Sequence, residues 1–129
     1  MTSFSGGTGM LGLPGDFSSP SRFVRVAFLQ NTAPVRETAL ETVTQAFHLL
    51  NNFDIPIGMQ FAKGEEVVDI PSATHITVAS DLSGHKLYFR TLHNCEIRCI
   101  DLNRINFKKT GYVCKPLDKI KAETIHQIF

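Results

Sequence analysis

Two arginines stand three residues apart in an otherwise apolar segment, and they are the side chains best suited to chemistry in this sequence. Arg22 and Arg25 occur in SRFVRVAFL, directly after the turn-forming string GLPGDFSSP. A guanidinium among Phe, Val and Ala either forms an ion pair, extends to water or stabilises negative charge at a site. Asp16 is placed to bond one of these arginines or to cap the helix that follows. The residues alone leave these alternatives open.

Other residue types with catalytic potential lack the spacing that their chemistry needs. The string GGTGMLGLPG is not followed by the Lys-Ser/Thr pair of a phosphate-binding loop. The five histidines are scattered and form no zinc-protease pair, and we predict no metal and no cofactor. Cys95, Cys99 and Cys114 fit no zinc pattern and are expected to be buried structural thiols. Thr2 could serve as an N-terminal nucleophile after loss of Met1, but its Ser/Gly-rich surroundings predict no strand to hold it.

Length, charge and hydropathy restrict the partners. The 129 residues are enough for one domain at most, with a core of its own. A net charge of +1 gives no bulk attraction to nucleic acid or to an anionic membrane. The sequence holds no apolar run near the ~20 residues that span a bilayer, and its first residues do not form a secretion signal. We therefore expect neither a nucleic-acid partner nor a membrane partner.

The elements that must position the arginines are two helices. After a Gly-rich lead-in over residues 1–18, Ser19-Pro20 predicts a helix start with Ser19 as N-cap, and the helix continues to about Asn31. Its apolar residues surround most of the axis, which predicts burial on several sides. The amphipathic spacing of ETVTQAFHLL predicts a second helix from Val35 to Asn52. The short connection predicts an antiparallel helix pair over residues 19–52.

An irregular connection over residues 53–74 is followed by a change of period to two. This alternation predicts an antiparallel β meander over residues 75–102. Its turns are expected at Ser83-Gly84 and His93-Asn94. The strands are predicted at His75–Leu82, Lys86–Leu92 and Glu96–Leu102. The tail, residues 103–129, is predicted to contain a short strand at Tyr112–Val113 and a weak helix or frayed end over Leu117–Phe129.

The string GTGMLGLPGDFSSPSRFVRVAF closely resembles a segment of the choloylglycine hydrolase family, which contains bile salt hydrolases and penicillin V acylases. The resemblance continues through ETVTQAFHLLNNFDIPIGM and THITVASDLSGHKLYFRTLHNCEIRCIDL, and so extends from about Gly7 to Leu102. It implies an α+β fold that is the C-terminal part of an N-terminal nucleophile (Ntn) hydrolase αββα sandwich. The missing N-terminal part of the same fold would supply the remaining strands.

The resemblance also implies an activity, the hydrolysis of linear C–N amide bonds other than peptides. In the family, an N-terminal cysteine is the nucleophile and its own α-amino group is the base. The late arginine of the family's S/A-R-F string corresponds to Arg22, which becomes the predicted catalytic residue. Arg25 falls outside this correspondence, because the family also accepts lysine there, and we expect an ordinary ion-pair or surface residue.

The N-terminal cysteine, the early Arg/Asp pair and the mid-chain Asn motif of the family are not found in this sequence. We therefore expect the last third of a family member, inactive by itself. The parent would act on a small-molecule amide such as a conjugated bile acid, a β-lactam or an acyl-homoserine lactone, in the cytoplasm or the periplasm. The alternative is a truncated, non-catalytic chain that self-associates into a homo-oligomer or binds a partner through exposed apolar edges.

Overall fold

The computed structural model describes residues 11–59, 63–65 and 73–129, which form two helices followed by a three-stranded antiparallel sheet. The α+β architecture predicted from the sequence is therefore confirmed. The chain divides into two compact units, Met1–Val35 and Arg36–Phe129. Most of the predicted Gly-rich lead-in, Thr2 included, lies outside the described residues, as do residues 60–62 and 66–72 of the predicted connection.

Helix α1 spans Ser19–Thr32, close to its predicted range, but its exposure differs from the prediction. The N-cap is Ser18 and not Ser19, and the Ser18 side chain accepts no hydrogen bond from the main-chain N–H groups of the helix. Phe23 is 72% exposed and Val26 is 42% exposed, whereas the buried residues are Ser21 and Arg25. Burial on several apolar sides is therefore wrong for this chain. Apolar composition shows what a helix is able to bury, and it does not show whether the chain supplies a covering layer.

Helix α2 spans Ala39–Leu50 and starts four residues later than predicted. Thr38 fixes this start through a capping box, because its hydroxyl accepts the Glu41 N–H while the Glu41 carboxylate accepts the Thr38 N–H. Val43 and Phe47 are buried, as their helical spacing predicts. A short 3-10 turn over Asn51–Phe53 ends the helical region. Antiparallel pairing of the two helices stays a prediction.

The predicted β meander is confirmed, and each strand lies within two residues of its expected bounds. The strands are β1 (Ile76–Asp81), β2 (Lys86–Thr91) and β3 (Asn94–Asp101), in the order β1-β2-β3. Val78 pairs with Phe89 and Phe89 pairs with Arg98, which places these three side chains on one face of the sheet. Helix α2 contacts β1, and the guanidinium of Arg90 on β2 lies 5.8 Å from the ring centroid of Phe47.

The turn between β1 and β2 comprises residues 82–85 and contains the predicted Ser83-Gly84 pair. The N–H of Gly84 donates to the Asp81 carboxylate at 2.7 Å. A Cβ atom at position 84 would collide with that carboxylate, so a larger residue would displace the Asp81 side chain from this hydrogen bond. His85 follows with a φ of 52°, a left-handed conformation that closes the turn.

The tail is bound to the sheet by side chains and has no regular structure after the 3-10 turn at Leu102–Arg104. The predicted strand at Tyr112–Val113 is wrong, and of the two alternatives for Leu117–Phe129 the weak helix is wrong while an end without regular structure agrees with the observed chain. Arg98 donates through Nη1 to the Leu117 carbonyl at 2.7 Å and to the Asp118 carboxylate at 2.8 Å. Its guanidinium carbon also lies 4.7 Å from the Phe89 ring centroid. Tail residues thus bind the face of the sheet that carries Phe89.

We predict that Arg98→Met releases the tail, because methionine keeps much of the side-chain length and removes the hydrogen bonds to Leu117 and Asp118. Tryptic cleavage after Lys119 and Lys121 should become several-fold faster, since local opening controls proteolysis of a bound segment. Arg104→Met is the matched control, as Arg104 is exposed and lies before the bound residues Leu117 and Asp118. Equal cleavage rates in the two variants would show that Arg98 does not hold the tail.

Candidate functional site

The junction between the GLPGD turn and helix α1 contains both arginines singled out from the sequence. We call this region the α1 junction and define it as residues 15–25. Pro20 occupies the first turn of α1, where its fixed φ suits the helix and its missing N–H costs no hydrogen bond. The preceding turn contains Gly12 with a φ of 83°, a conformation that favours glycine. A turn and a helix start therefore meet where the arginines lie.

Asp16 bonds the first turn of α1 through its carboxylate. One oxygen accepts the Ser18 N–H at 2.7 Å, and the other accepts the Ser21 hydroxyl at 2.8 Å. The Ser18 hydroxyl in turn donates to Ser21 at 3.1 Å. Hydrogen bonds from Ser18, which contribute most, and from Ser21 lower the pKa of Asp16 to about 2. Asp16 therefore stabilises the helix start, one of the two roles that the sequence left open for it.

Arg25 is buried and bonds the turn through the main chain. The residue is only 9% exposed. Its Nη1 donates to the carbonyls of Gly15 at 2.6 Å and Asp16 at 2.8 Å. The expectation of a surface residue is wrong. The sequence could not reveal this role, because backbone carbonyls are present at every position and no residue type marks the ones that accept.

Arg22 lies one turn before Arg25 and differs from it in its contacts. Its backbone N–H donates to the Ser18 carbonyl at 3.0 Å, the first main-chain hydrogen bond of the helix. The side chain is half-buried, and in the described part of the chain its guanidinium makes no hydrogen bond or ion pair. A guanidinium with this exposure is able to bind an anion or stabilise developing negative charge.

The cysteines do not form a nucleophilic site. Cys95, Cys99 and Cys114 are all exposed, which corrects the expectation of buried thiols. A hydrogen bond with Glu123 raises the pKa of the Cys95 thiol, and partial burial adds to the effect. A raised pKa decreases the thiolate fraction and with it the reactivity. Among residues 11–59, 63–65 and 73–129, no group of three His, Cys, Asp or Glu side chains could hold a metal ion.

A second polar cluster surrounds an open cavity of about 180 Å³ beside the sheet. Asp54, Thr77, Arg90 and Cys95 line it. The Arg90 guanidinium forms an ion pair with Asp54 at 2.5 Å, and Thr77 donates to the same carboxylate at 3.4 Å. The ion pair joins the segment before β1 to the sheet. Because Asp54 neutralises Arg90, this cluster offers no unpaired cation to a ligand.

Within the described residues, neither α1 nor α2 has the length and hydropathy of a membrane-spanning segment.

Residues 1–115 match the family model of the linear amide C–N hydrolases, choloylglycine hydrolase family. A bile salt hydrolase/transferase of Lactiplantibacillus plantarum is 34% identical over 118 residues, which cover 91% of this chain and 35% of that protein. An uncharacterized protein of Paramecium bursaria Chlorella virus 1 is 58% identical over 55 residues, covering 43% of this chain and 20% of that protein.

The fold is similar to that of a mutant conjugated bile acid hydrolase from Clostridium perfringens, known from a crystal structure. The TM-score is 0.67 and the identity 32%, and the likeness covers 99% of this chain and 37% of the other. The chain therefore spans about a third of the length of these bacterial relatives, and it matches their C-terminal part. The resemblance inferred from the sequence motifs is confirmed.

We predict that Ser21→Ala raises the pKa of Asp16, because it removes a hydrogen bond to the ionised carboxylate. The lowered pKa means that Asp16 contributes its full stabilisation above its ordinary value of 3.8 and loses it as the pH falls to about 2. Carboxyl NMR titration measures this pKa directly. Ser19→Ala is the matched control, since Ser19 is exposed and lies in the same turn. An unchanged pKa in Ser21→Ala would remove the proposed cause.

Proposed function

Because this chain belongs to the choloylglycine hydrolase family of linear amide C–N hydrolases, we propose that it forms the C-terminal part of an amidase in which Arg22 is catalytic. The supporting observation is the half-buried Arg22 guanidinium, which has no protein partner among the described residues. It lies in the S-R-F string, where the family resemblance predicts a catalytic arginine. Arg25, three residues away, is instead occupied by main-chain carbonyls.

In the proposed enzyme, the nucleophile is a cysteine at the N-terminus of the complete fold. Its thiolate attacks the amide carbonyl carbon, and the tetrahedral intermediate carries a negative charge on oxygen. Cleavage of the C–N bond releases the amine, which takes a proton from the α-amino group of the cysteine, and leaves a thioester. Water then hydrolyses the thioester and frees the acid. Arg22 acts by lowering the thiol pKa and stabilising the negative charge.

The proposed substrate is a small-molecule amide with a bulky acyl group. Two relatives have names that specify bile salt or conjugated bile acid hydrolysis, which makes a conjugated bile acid the first substrate to test. A phenoxyacetyl amide such as penicillin V is the second, because the family resemblance includes penicillin V acylases. In either case the acid product carries the hydroxyl of water and the amine product carries the proton.

We further propose that the 129-residue chain does not catalyse this reaction by itself. Its three cysteines lie in β3 and in the tail, and the pKa of the Cys95 thiol is raised and not lowered. A cysteine nucleophile needs a positive neighbour and a depressed pKa. The chain therefore contributes a positioned arginine, and another polypeptide segment contributes the thiol.

A second candidate function, a non-catalytic self-associating module, is favoured by large apolar side chains at the surface. Phe23 on α1 and Leu40 on α2 are 72% and 71% exposed, and Ile76 and Val78 on β1 are 44% and 41% exposed. Both β1 and β3 are edge strands of a three-stranded sheet. Apolar patches and open edges of this kind promote association.

The first experiment fuses this chain to the preceding part of the Clostridium perfringens relative, in place of the matched region. We expect the fusion to release glycine from a glycine-conjugated bile acid and the 129-residue chain to release none. Arg22→Ala in the fusion should decrease kcat by about 10²-fold, the loss typical of one charge-stabilising donor. Arg104→Ala is the control. A folded fusion in which Arg22→Ala keeps full activity would refute the catalytic role.

The second experiment measures the mass of the isolated chain by sedimentation at several concentrations. A self-associating module should form dimers or larger species with rising concentration, and Leu40→Glu should shift them towards monomer by placing a charge in the apolar contact. Thr42→Glu is the control, because Thr42 is exposed and, two residues after Leu40, lies on another side of α2. A monomer at every concentration would refute this second function and leave the first unaffected.

A further inference from the structure

We propose that Arg25 is a positioning residue that orients Arg22 by fixing helix α1 against the GLPGD turn. This inference rests on the proposed function, since it assigns Arg22 to catalysis. Arg25 has no part in the family-derived assignment, where lysine is also accepted. Its burial and its two main-chain hydrogen bonds are what single it out.

Two sets of hydrogen bonds hold the turn and the helix together. The first set involves the Asp16 carboxylate, which bonds Ser18 and Ser21 in the opening turn of α1. The second set acts one turn later, where Arg25 reaches back nine and ten residues to the carbonyls of Asp16 and Gly15. One set fixes where the helix begins, and the other fixes its direction relative to the turn.

Arg22 lies between these two sets of bonds. Its N–H bonds the Ser18 carbonyl, and it is flanked by Ser21, which is 3% exposed, and by Arg25 three residues later. Its long side chain amplifies any tilt of the helix, because the guanidinium lies several bonds from the main chain. A displacement of about 1 Å at a reacting group can cost about 10²-fold in rate. Arg25 therefore acts on the reaction through the direction of Arg22.

The hydrogen bonds from Arg25 to the carbonyls of Gly15 and Asp16 both come from one nitrogen, Nη1. A lysine ammonium has three donors on a single nitrogen and can serve two carbonyls in the same way. Methionine has a similar length and no donor. Arg25→Lys therefore keeps a hydrogen-bond donor, whereas Arg25→Met keeps only the bulk of the side chain. We predict that lysine fulfils the positioning role of Arg25 and that methionine does not.

The test uses the fusion enzyme of the preceding subsection, with the active thiols titrated so that kcat refers to competent sites. We expect Arg25→Met to decrease kcat by roughly 10- to 100-fold with KM within about twofold of the parent fusion. Arg25→Lys should stay within about threefold of the parent fusion in kcat, as the conservative replacement. In an Arg22→Ala background, Arg25→Met should cause no further loss, because it acts through Arg22.

A change confined to stability gives a different result. It would lower the amount of active enzyme and leave kcat per titrated site intact, or it would decrease kcat equally in both backgrounds, and either outcome overturns the positioning role. A loss of kcat in Arg25→Lys comparable to that in Arg25→Met overturns the prediction that one donor nitrogen at position 25 suffices. If Arg25→Met does not fold, two other measurements decide. They are the kcat of the Arg25→Lys fusion and the exchange rate of the Arg22 main-chain amide proton in the 129-residue chain. Full activity of Arg22→Ala instead refutes the proposed function.

Discussion

A guanidinium that leaves bulk water must find oxygen atoms to replace it, and this requirement organises both units of the chain. Arg25 meets it with two main-chain carbonyls, Arg90 with the Asp54 carboxylate, and Arg98 with a carbonyl and a carboxylate of the tail. Each of these bonds joins a helix or strand to a segment without regular structure. Arg22 is the exception, because its guanidinium makes no hydrogen bond or ion pair with the described residues, and this supports the proposed catalytic role.

The hydrogen bonds of the α1 junction hold helix α1 in a defined direction relative to the GLPGD turn. The α1 junction is bonded internally, within Met1–Val35, and so its geometry is set by residues close to Arg22. The apolar side chains that remain exposed, such as Phe23, take no part in those bonds. Exposed apolar side chains and an internally bonded arginine therefore occur on one helix. This division agrees with a chain that spans about a third of its bacterial relatives.

Periodicity predicted most of the described elements, because α2 and the meander owe their form to local spacing. The starts moved where a side chain intervened, as Thr38 did for α2. The tail was not predictable, since its position depends on Arg98, far away in sequence. The candidate site followed the same rule. Arg22 was found through a motif, whereas the role of Arg25 depends on carbonyls that residue types do not reveal. The exposure of the cysteines was likewise not predictable, because it depends on which elements cover them in the folded chain.

The strand order β1-β2-β3 also has a kinetic consequence. Every sheet contact joins strands adjacent in sequence, and α2 contacts β1, the first strand after it. Pairing of strands that are adjacent in sequence closes short loops and loses little chain entropy, whereas the contact of α2 with β1 closes the longer loop over residues 51–75. The capping box that starts at Thr38 gives α2 a local nucleus of its own. The sheet can thus form by successive hairpin additions, and the contacts of α2 and of the tail with it require closure of longer loops.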